Sequence, residues 1–219
     1  MKKHSNKQAG PEILSFKKRF LSGDFNENFL WNLTRKSNRF KKRLADELFS
    51  YNIVLIGFMG SGKSVISRHL NKLFHMPIIE MDQLISEREG MSIPDIFRIH
   101  GEAYFRELET NLLIEMQKKQ NVIISCGGGV PLREENVKEM RKNGKVILLN
   151  AKPETIYEHV KNNHDRPLLE GKDKMKVITE MMEQRRDKYE AAADYKIETD
   201  DLNKMEICES ILRQLLKEH

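Results

Sequence analysis

The chain has 219 residues, of which 39% are hydrophobic and 32% charged, enough for one α/β domain with a sizeable core plus an additional segment. No apolar run approaches the roughly 20 residues that cross a bilayer, and the N-terminus lacks the apolar stretch of a signal peptide, so we expect a cytoplasmic protein without a membrane partner. Cys126 and Cys208 lie far apart without a CxxC pattern or paired histidines, which argues against a disulfide framework and a zinc site.

The net charge of +5 is unevenly distributed along the chain. Residues 1–50 carry 12 Lys and Arg against 5 Asp and Glu, whereas residues 51–219 carry 26 against 28. We predict a basic N-terminal extension, residues 1–50, with one helix from Phe29 to Phe49. It has no recognisable nucleic-acid-binding motif, so a solvated or partner-facing arm with an unidentified partner is favoured over a nucleic-acid role. Removing this arm is expected to leave the remaining domain folded.

From Tyr51 onwards, short β-branched segments alternate with amphipathic stretches. Asn52–Ile56 is a continuous apolar run, as in a strand buried on both faces of a parallel sheet, and a helix at residues 63–74 follows it. Further strands are predicted at residues 77–81, 122–125, 145–150 and 195–199, with a closing helix at residues 202–217. The alternation predicts an α/β fold at residues 51–219, a parallel sheet flanked by helices in three layers, with ligands at the carboxyl ends of the strands.

A phosphate-binding loop follows the first predicted strand. Residues 57–64 read GFMGSGKS and fit G-x-x-x-x-G-K-[ST] at every fixed position. The glycines allow successive backbone N–H groups to point at phosphate oxygens, and the N-terminus of the next helix adds partial positive charge. Lys63 is then placed to reach the β- and γ-phosphates, and the Ser64 hydroxyl to ligate Mg²⁺. The motif predicts nucleotide binding, and no guanine-specificity motif follows it.

Two carboxylates, Glu80 and Asp82, stand at the end of the second predicted strand. Strand residues two apart point the same way, so we expect both to face the cleft above the sheet. One carboxylate can help to hold hydrated Mg²⁺ while the other receives or orients the proton of an acceptor hydroxyl. The alternative is that both are N-terminal charges of the following helix.

Arg106 and Glu109 are three residues apart and share a helix face, which suits Arg106 for a bidentate grip on a carboxylate. A solvated surface pair is the alternative. Gly127, Gly128 and Gly129 follow the third predicted strand and leave room for a ligand against bare backbone amides, although a tight turn into Pro131 would also use them.

In combination, these features resemble the shikimate kinase family over residues 51–219. The matching segments are GFMGSGKS, the E-x-D pair at residues 80–82, FRELE at residues 105–109, GGG at residues 127–129, RPLL from Arg166, and R-x-x-x-Y from Arg185 to Tyr189. The resemblance implies a P-loop kinase with a mobile lid at about residues 161–176. It also implies MgATP-dependent phosphorylation of shikimate to shikimate 3-phosphate, a step of aromatic amino-acid biosynthesis, by direct in-line transfer.

The same resemblance implies roles for individual residues. The ATP phosphates would be bound by Gly60, Ser61, Gly62, Lys63, Ser64 and Val65, and shikimate by Asp82, Arg106, Gly128, Gly129 and Arg185. Lys63, Asp82 and Arg166 would be the catalytic residues. Arg106 and Arg185 would clasp the carboxylate of shikimate, Asp82 would meet its reacting hydroxyl, and Arg166 would swing onto the transferring phosphoryl group from the lid.

Two positions depart from the family pattern. The family usually has Asp where this chain has Glu80, which would approach the Mg²⁺ held on Ser64 through water. The arginine that stacks on adenine in the family has no clear counterpart here, and His159 and Lys161 are the nearby candidates. Phe97 and Phe105 would either flank the shikimate ring or pack in the core.

Two other functions stay open from the sequence. A kinase of gluconate or another small acid would share the P-loop without requiring Arg106, the triple glycine and Arg185 together. A catalytically weak or inactive relative that binds nucleotide or shikimate and acts through the basic extension is the other alternative. We expect a monomer that takes ATP and shikimate as its small-molecule partners.

Overall fold

The structure is a computed structural model that describes residues 10–161 and 173–217. Arg166 and most of the predicted lid at about residues 161–176 lie outside the described residues. Among the described residues, no helix combines the length and the apolar character needed to cross a membrane.

The N-terminal part is helical and the rest alternates between strands and helices. The elements, in chain order, are α1 (Pro11–Leu21), α2 (Glu27–Thr34), α3 (Asn38–Leu48), β1 (Asn52–Ile56), α4 (Lys63–Phe74), β2 (Ile78–Glu80), α5 (Met81–Glu89), α6 (Ile93–Met116), β3 (Ile123–Ser125), a 3₁₀ turn (Val130–Leu132), α7 (Glu134–Lys142), β4 (Gly144–Asn150), α8 (Pro153–Val160), α9 (Lys174–Ala192), β5 (Tyr195–Glu198) and α10 (Lys204–Leu215). Helix α6 is kinked at Gly101.

The five strands form one parallel sheet in the order β2-β3-β1-β4-β5. Each predicted strand is confirmed, with ends that differ by at most one residue, and α4 has the predicted bounds. Strand β1 lies at the centre, so the loop that follows it opens at the middle of the sheet's carboxyl edge. The predicted three-layer α/β fold is therefore confirmed.

Alternate residues of the central strand face two separate hydrophobic layers. Ile53 and Leu55 of β1 pack in a cluster with α4 and α10, whereas Val54 and Ile56 pack with α5 to α9 on the opposite face. All five residues of β1 are buried, as expected for a strand covered by helices on both sides.

The prediction of one helix from Phe29 to Phe49 is wrong, because the chain breaks between α2 and α3. The Ser37 side chain accepts a hydrogen bond from the backbone N–H of Phe40, at 3.2 Å, and so caps a new helix. Helix α1 was not predicted. It begins with Pro11 at a position that suits proline, and it buries Ile13 and Phe20, seven residues apart, on one face.

The extension forms an outer layer on the α4–α10 face of the domain. Its buried hydrophobic residues belong to the same cluster as those of α4 and α10. The Phe74 ring at the end of α4 lies 5.8 Å from that of Phe20 and 5.1 Å from that of Phe49. Since the two parts share buried side chains, this packing is at odds with a separable arm.

Candidate active site

The carboxyl ends of the strands meet at a cleft of about 900 Å³. The phosphate loop crosses it, the residues after β2 and β3 form one end, and those after β4 and β5 form the other. Residues 59–66, Glu80, Asp82, Cys126 and Gly128 line the first part, and Lys152, Thr155, His159, Lys204, Ile207 and residues 199–202 line the second. The topology therefore brings segments that are distant in sequence to one site.

The phosphate loop has the backbone that its motif predicts. Gly62 has a φ of +90°, in a region that favours glycine, and helix α4 begins at the next residue, Lys63. The Lys63 ammonium donates to the carbonyls of Gly57 at 2.8 Å and Phe58 at 3.0 Å, which keeps it over the loop. The loop thus combines a helix N-terminus with a lysine, as phosphate binding requires.

Glu80 and Ser64 come together as the sequence predicts for a metal site. The Ser64 hydroxyl donates to Glu80 Oε2 at 2.9 Å, and the Ser67 hydroxyl donates to Glu80 Oε1 at 3.0 Å. Hydroxyl and carboxylate oxygens are hard ligands of the kind that Mg²⁺ prefers. Within residues 10–161 and 173–217, no group of three or more His, Cys, Asp and Glu side chains could hold a metal alone. The residues present therefore fit a metal that takes its other ligands from phosphate and water.

The structural argument for Asp82 needs correction. Strand β2 ends at Glu80 and Asp82 lies in the first turn of α5, so the two carboxylates do not alternate along one strand. Both still line the cleft, because α5 begins directly after β2, at the carboxyl edge of the sheet. The alternative prediction, that both residues are charges at the N-terminus of a helix, therefore describes their position correctly. Residues at this helix N-terminus also line the cleft.

Arg106 is held by two carboxylates on its own helix. Its Nη1 donates to Glu109 Oε2 at 2.7 Å, and Nε and Nη2 donate to Glu102 Oε1 at 3.1 Å and 2.8 Å. The guanidinium lies above the rings of Phe97 and Phe105, at 5.9 Å and 5.5 Å from their centroids. The two rings pack together at 4.9 Å, with Phe105 buried and Phe97 partly buried, so they contact both the core and the Arg106 side chain.

The glycine loop after β3 fits closely against these side chains. A Cβ on Gly129 would collide with the Arg106 guanidinium, and one on Gly127 would lie 2.5 Å from Asp82 Oδ1 and 2.8 Å from Glu109 Oε1. No side chain larger than hydrogen fits at these two positions without displacing the others. The loop therefore brings Asp82, Arg106 and Glu109 to one small region beside the cleft.

Glu109 is buried under this loop. Burial raises its pKa to about 7, although the Arg106 charge acts in the opposite direction and the nearby Asp82 carboxylate adds to the rise. Its Oε1 has no hydrogen-bond partner among the described residues. The buried Glu109 carboxyl positions Arg106 by accepting its hydrogen bond, as expected for two residues on one helix face.

Tyr189 links the glycine loop to α9. Its hydroxyl donates to the Gly128 carbonyl at 2.5 Å. Burial raises the pKa of Tyr189, while the charges of Arg185 and Arg106 oppose that rise from nearby. The Arg185 guanidinium also lies 5.9 Å from the centroid of the Phe58 ring. Both predicted carboxylate-binding arginines thus lie near one tyrosine beside the glycine loop, and neither is among the residues that line the cleft.

The far end of the cleft contains residues that the sequence analysis missed. Asp200, after β5, accepts from the Lys152 backbone N–H at 3.0 Å and from the Thr155 hydroxyl at 2.6 Å, which ties the β5–α10 loop to α8. His159 Nδ1 lies 2.8 Å from the Gly60 carbonyl and lines the cleft, whereas Lys161 pairs with Glu158 and is not among the lining residues. The signal that could have identified the β5–α10 loop from the sequence is the general rule that ligands of parallel sheets bind beyond the carboxyl ends of the strands.

A phosphate loop on the central strand of a parallel sheet, with a carboxylate pair and arginines at the same edge, defines a P-loop kinase of small molecules. The shikimate kinase family model matches residues 59–216. The chain belongs to the shikimate kinase family.

Individual relatives agree with this placement. The chain is similar to shikimate kinase from Caldanaerobacter subterraneus subsp. tengcongensis, at 41% identity over 76% of this chain and 96% of that protein. Its structure resembles shikimate kinase from Acinetobacter baumannii in complex with shikimate, with a TM-score of 0.73, 29% identity, and coverage of 77% of this chain and 94% of the other. It also resembles shikimate kinase from Bacteroides thetaiotaomicron, with a TM-score of 0.69 and 33% identity over 76% and 98% of the two chains.

Proposed function

We propose that this chain transfers the γ-phosphoryl group of ATP to a hydroxyl of shikimate, giving ADP and shikimate 3-phosphate. The observation that carries the proposal is the fit of Arg106 against the Gly127–Gly129 loop, beside Asp82 and at the edge of the phosphate-loop cleft. Family membership and the relative solved in complex with shikimate support the same acceptor.

On the nucleotide side, residues 60–65 bind the phosphates and the N-terminus of α4 faces them. Lys63 exchanges its contacts with the loop carbonyls for the β- and γ-phosphate oxygens. Ser64 and Glu80 would hold Mg²⁺, directly and through water, and the ion would neutralise charge on the phosphates. Glu80 is one methylene longer than Asp, yet its carboxylate reaches the Ser64 hydroxyl, so the length of the side chain is compatible with this role.

On the acceptor side, Arg106 and Arg185 bind the carboxylate of shikimate and Gly128 and Gly129 approach its ring. Asp82 orients the reacting hydroxyl and receives its proton as the oxygen–phosphorus bond forms. The bond between the γ-phosphorus and the bridging oxygen of ADP breaks in the same in-line step. Arg166, outside the described residues, is proposed to stabilise the transferring group.

A purely binding role has less support from the site. Lys63, Ser64, Glu80 and Asp82 line one cleft and retain the groups that transfer requires. A carboxylate beside the reacting hydroxyl can also receive its proton, a role that binding alone does not use.

The test is ADP release by the purified chain with MgATP and shikimate, with gluconate, and without acceptor. We expect turnover only with shikimate, and loss of that turnover in Lys63→Ala. Turnover with gluconate alone would identify a different small-acid kinase. Binding of ATP and shikimate without turnover would assign the chain a non-catalytic role. Light scattering of the same sample checks the predicted monomer.

A further inference from the structure

We propose that the N-terminal extension, residues 10–50, positions the two helices, α4 and α10, whose N-terminal ends form the nucleotide site. Arg213 is the residue of α10 that holds the extension in place. The family match begins at residue 59, so the extension lies outside the part shared with the relatives. The inference concerns the nucleotide-binding half of the proposed function and does not depend on the identity of the acceptor.

The extension contacts the ends of α4 and α10 that lie away from the cleft. At α4, Phe74 is completely buried and its ring packs against Phe20 and Phe49 of the extension. At α10, Arg213 reaches the turn between α1 and α2. Helix α2 lies against both α4 and α10, so the extension bridges the two helices.

Arg213 uses all three of its guanidinium nitrogens in this contact. Nη1 donates to the Gly23 carbonyl at 3.1 Å and Nη2 to the Phe25 carbonyl at 2.5 Å. Nε and Nη2 donate to Glu209 on α10, at 2.9 Å and 2.7 Å, which fixes the side chain on its own helix. The guanidinium also lies 4.7 Å from the centroid of the Phe25 ring. A planar fork held in this way ties a loop to a helix with a defined direction.

The opposite ends of the same two helices form the nucleotide cleft. Lys63 and Ser64 begin α4, and Lys204 and Ile207 lie in the first turn of α10 and line the cleft. Arg213 is nine residues beyond Lys204, which is about 13 Å along the helix axis. A packed helix moves as a rigid body, since close-packed interiors transmit displacement rather than absorb it. A change at the Arg213 end therefore displaces the cleft end of α10.

The acceptor side is joined to the extension differently, because Asn121 Nδ2, in the loop before β3, donates to Asp46 Oδ1 at 2.9 Å. Asp82, Arg106 and Arg185 lie on α5, α6 and α9, which pack against the opposite face of the sheet from α4, α10 and the extension. Loosening the extension should therefore weaken nucleotide binding and leave shikimate binding nearly unchanged. A general loss of stability would not produce that separation.

A matched control exists elsewhere in the chain. Arg141 on α7 also donates to two backbone carbonyls, of Ala191 and Ala193, and also pairs with an acidic residue, Asp194. The side chains of Arg141 and Arg213 are 43% and 41% exposed. Replacing either residue removes contacts with two backbone carbonyls and one carboxylate, and Arg213 also loses its contact with the Phe25 ring. Among the described residues, the hydrogen bonds and the ion pair of Arg141 are with residues 191–194 rather than with the extension or α10.

The experiment is isothermal titration calorimetry of the full-length wild type, Arg213→Ala and Arg141→Ala, with MgADP and separately with shikimate, well below the unfolding temperature of each variant. We expect Arg213→Ala to weaken MgADP binding about fivefold or more, the lower range of coupling between sites. Its shikimate affinity should stay within about twofold, as for independent sites, and Arg141→Ala, whose contacts lie at the end of α9, should leave the MgADP affinity within that limit. Arg213→Lys, which keeps the charge and can reach one carbonyl, should recover part of the MgADP affinity.

Equal MgADP affinities in the two alanine variants would overturn the proposal, and so would an equal loss of MgADP and shikimate binding in Arg213→Ala. If either alanine variant does not fold, Arg213→Lys and Arg141→Lys decide by the same comparison. Wild-type binding of MgADP without turnover of shikimate would refute the proposed reaction while leaving this comparison intact.

Discussion

Replacing Phe20 with Ala should destabilise the whole protein rather than the extension alone. Phe20 is 1% exposed, and its ring lies 4.9 Å from Phe25, 5.2 Å from Phe29 and 5.8 Å from Phe74. Removing a fully buried phenylalanine costs about 3–5 kcal/mol of unfolding free energy. With a urea m-value of about 2–3 kcal/mol/M for a chain of this size, the midpoint should fall by about 1–2.5 M.

The assay is urea unfolding followed by two probes in the same samples. Trp31 is the single tryptophan of the chain and lies in α2, so its fluorescence reports the extension, whereas far-UV circular dichroism reports all helices and strands. If the extension and the domain form one cooperative unit, both transitions shift together and stay coincident.

The matched control is Leu14→Ala, because Leu14 lies on the same helix but is 52% exposed. We expect it to change the unfolding free energy by about 0.5 kcal/mol or less. A Trp31 transition that moves to lower urea in Phe20→Ala while the main dichroism transition stays at the wild-type midpoint would refute the reasoning. Phe20→Leu, which removes less volume, serves the same test if the alanine variant is unfolded in buffer.

Three further predictions concern the site. Glu80→Gln keeps the length of the side chain and one acceptor oxygen but removes the negative charge, so kcat should fall about tenfold or more at low Mg²⁺ and recover partly at high Mg²⁺, measured by ADP release. Arg106→Ala should raise the KM for shikimate about 10- to 100-fold, the value of a charged hydrogen bond, with the KM for ATP nearly unchanged. Glu109 has a pKa raised from 4.5 to about 7, so the folded state binds its proton more tightly than the unfolded state and this contribution to stability is lost as pH rises from about 4.5 to 7. Glu109→Gln should remove that decline, of the order of 3 kcal/mol, in urea unfolding at pH 5 and pH 8.

Each of these has a control on a nearby surface. The controls are Glu87→Gln, Arg98→Ala and Glu107→Gln, three exposed positions on α5 and α6. An unchanged Mg²⁺ dependence at position 80 would remove that carboxylate from the metal site. Equal increases of both KM values at position 106 would remove the arginine from the acceptor site. A stability difference that is independent of pH would contradict the raised pKa at position 109.

The sequence by itself determined the strands, the nucleotide-binding loop and the family. The segment at residues 53–56 is apolar throughout because both faces of β1 are covered, and a run of this kind is visible without a structure. The GFMGSGKS loop is equally visible, since its glycines and lysine act through a local backbone conformation. Arg106 and Glu109 were paired correctly because residues three apart on a helix meet wherever that helix lies.

Only the tertiary structure decided the features that depend on contacts between distant segments. Asp82 belongs to a helix rather than a strand, because β2 ends after three residues where the sheet edge is reached. Asp200 joins the cleft only because β5 lies beside β4, which brings residues 48 positions apart into hydrogen-bonding distance. The sequence predicted a basic, solvated or partner-facing arm, because the apolar residues of the extension are spread over three short helices. They form a buried layer only when α4 and α10 supply the surface that completes it, and a one-dimensional pattern holds no information about that surface.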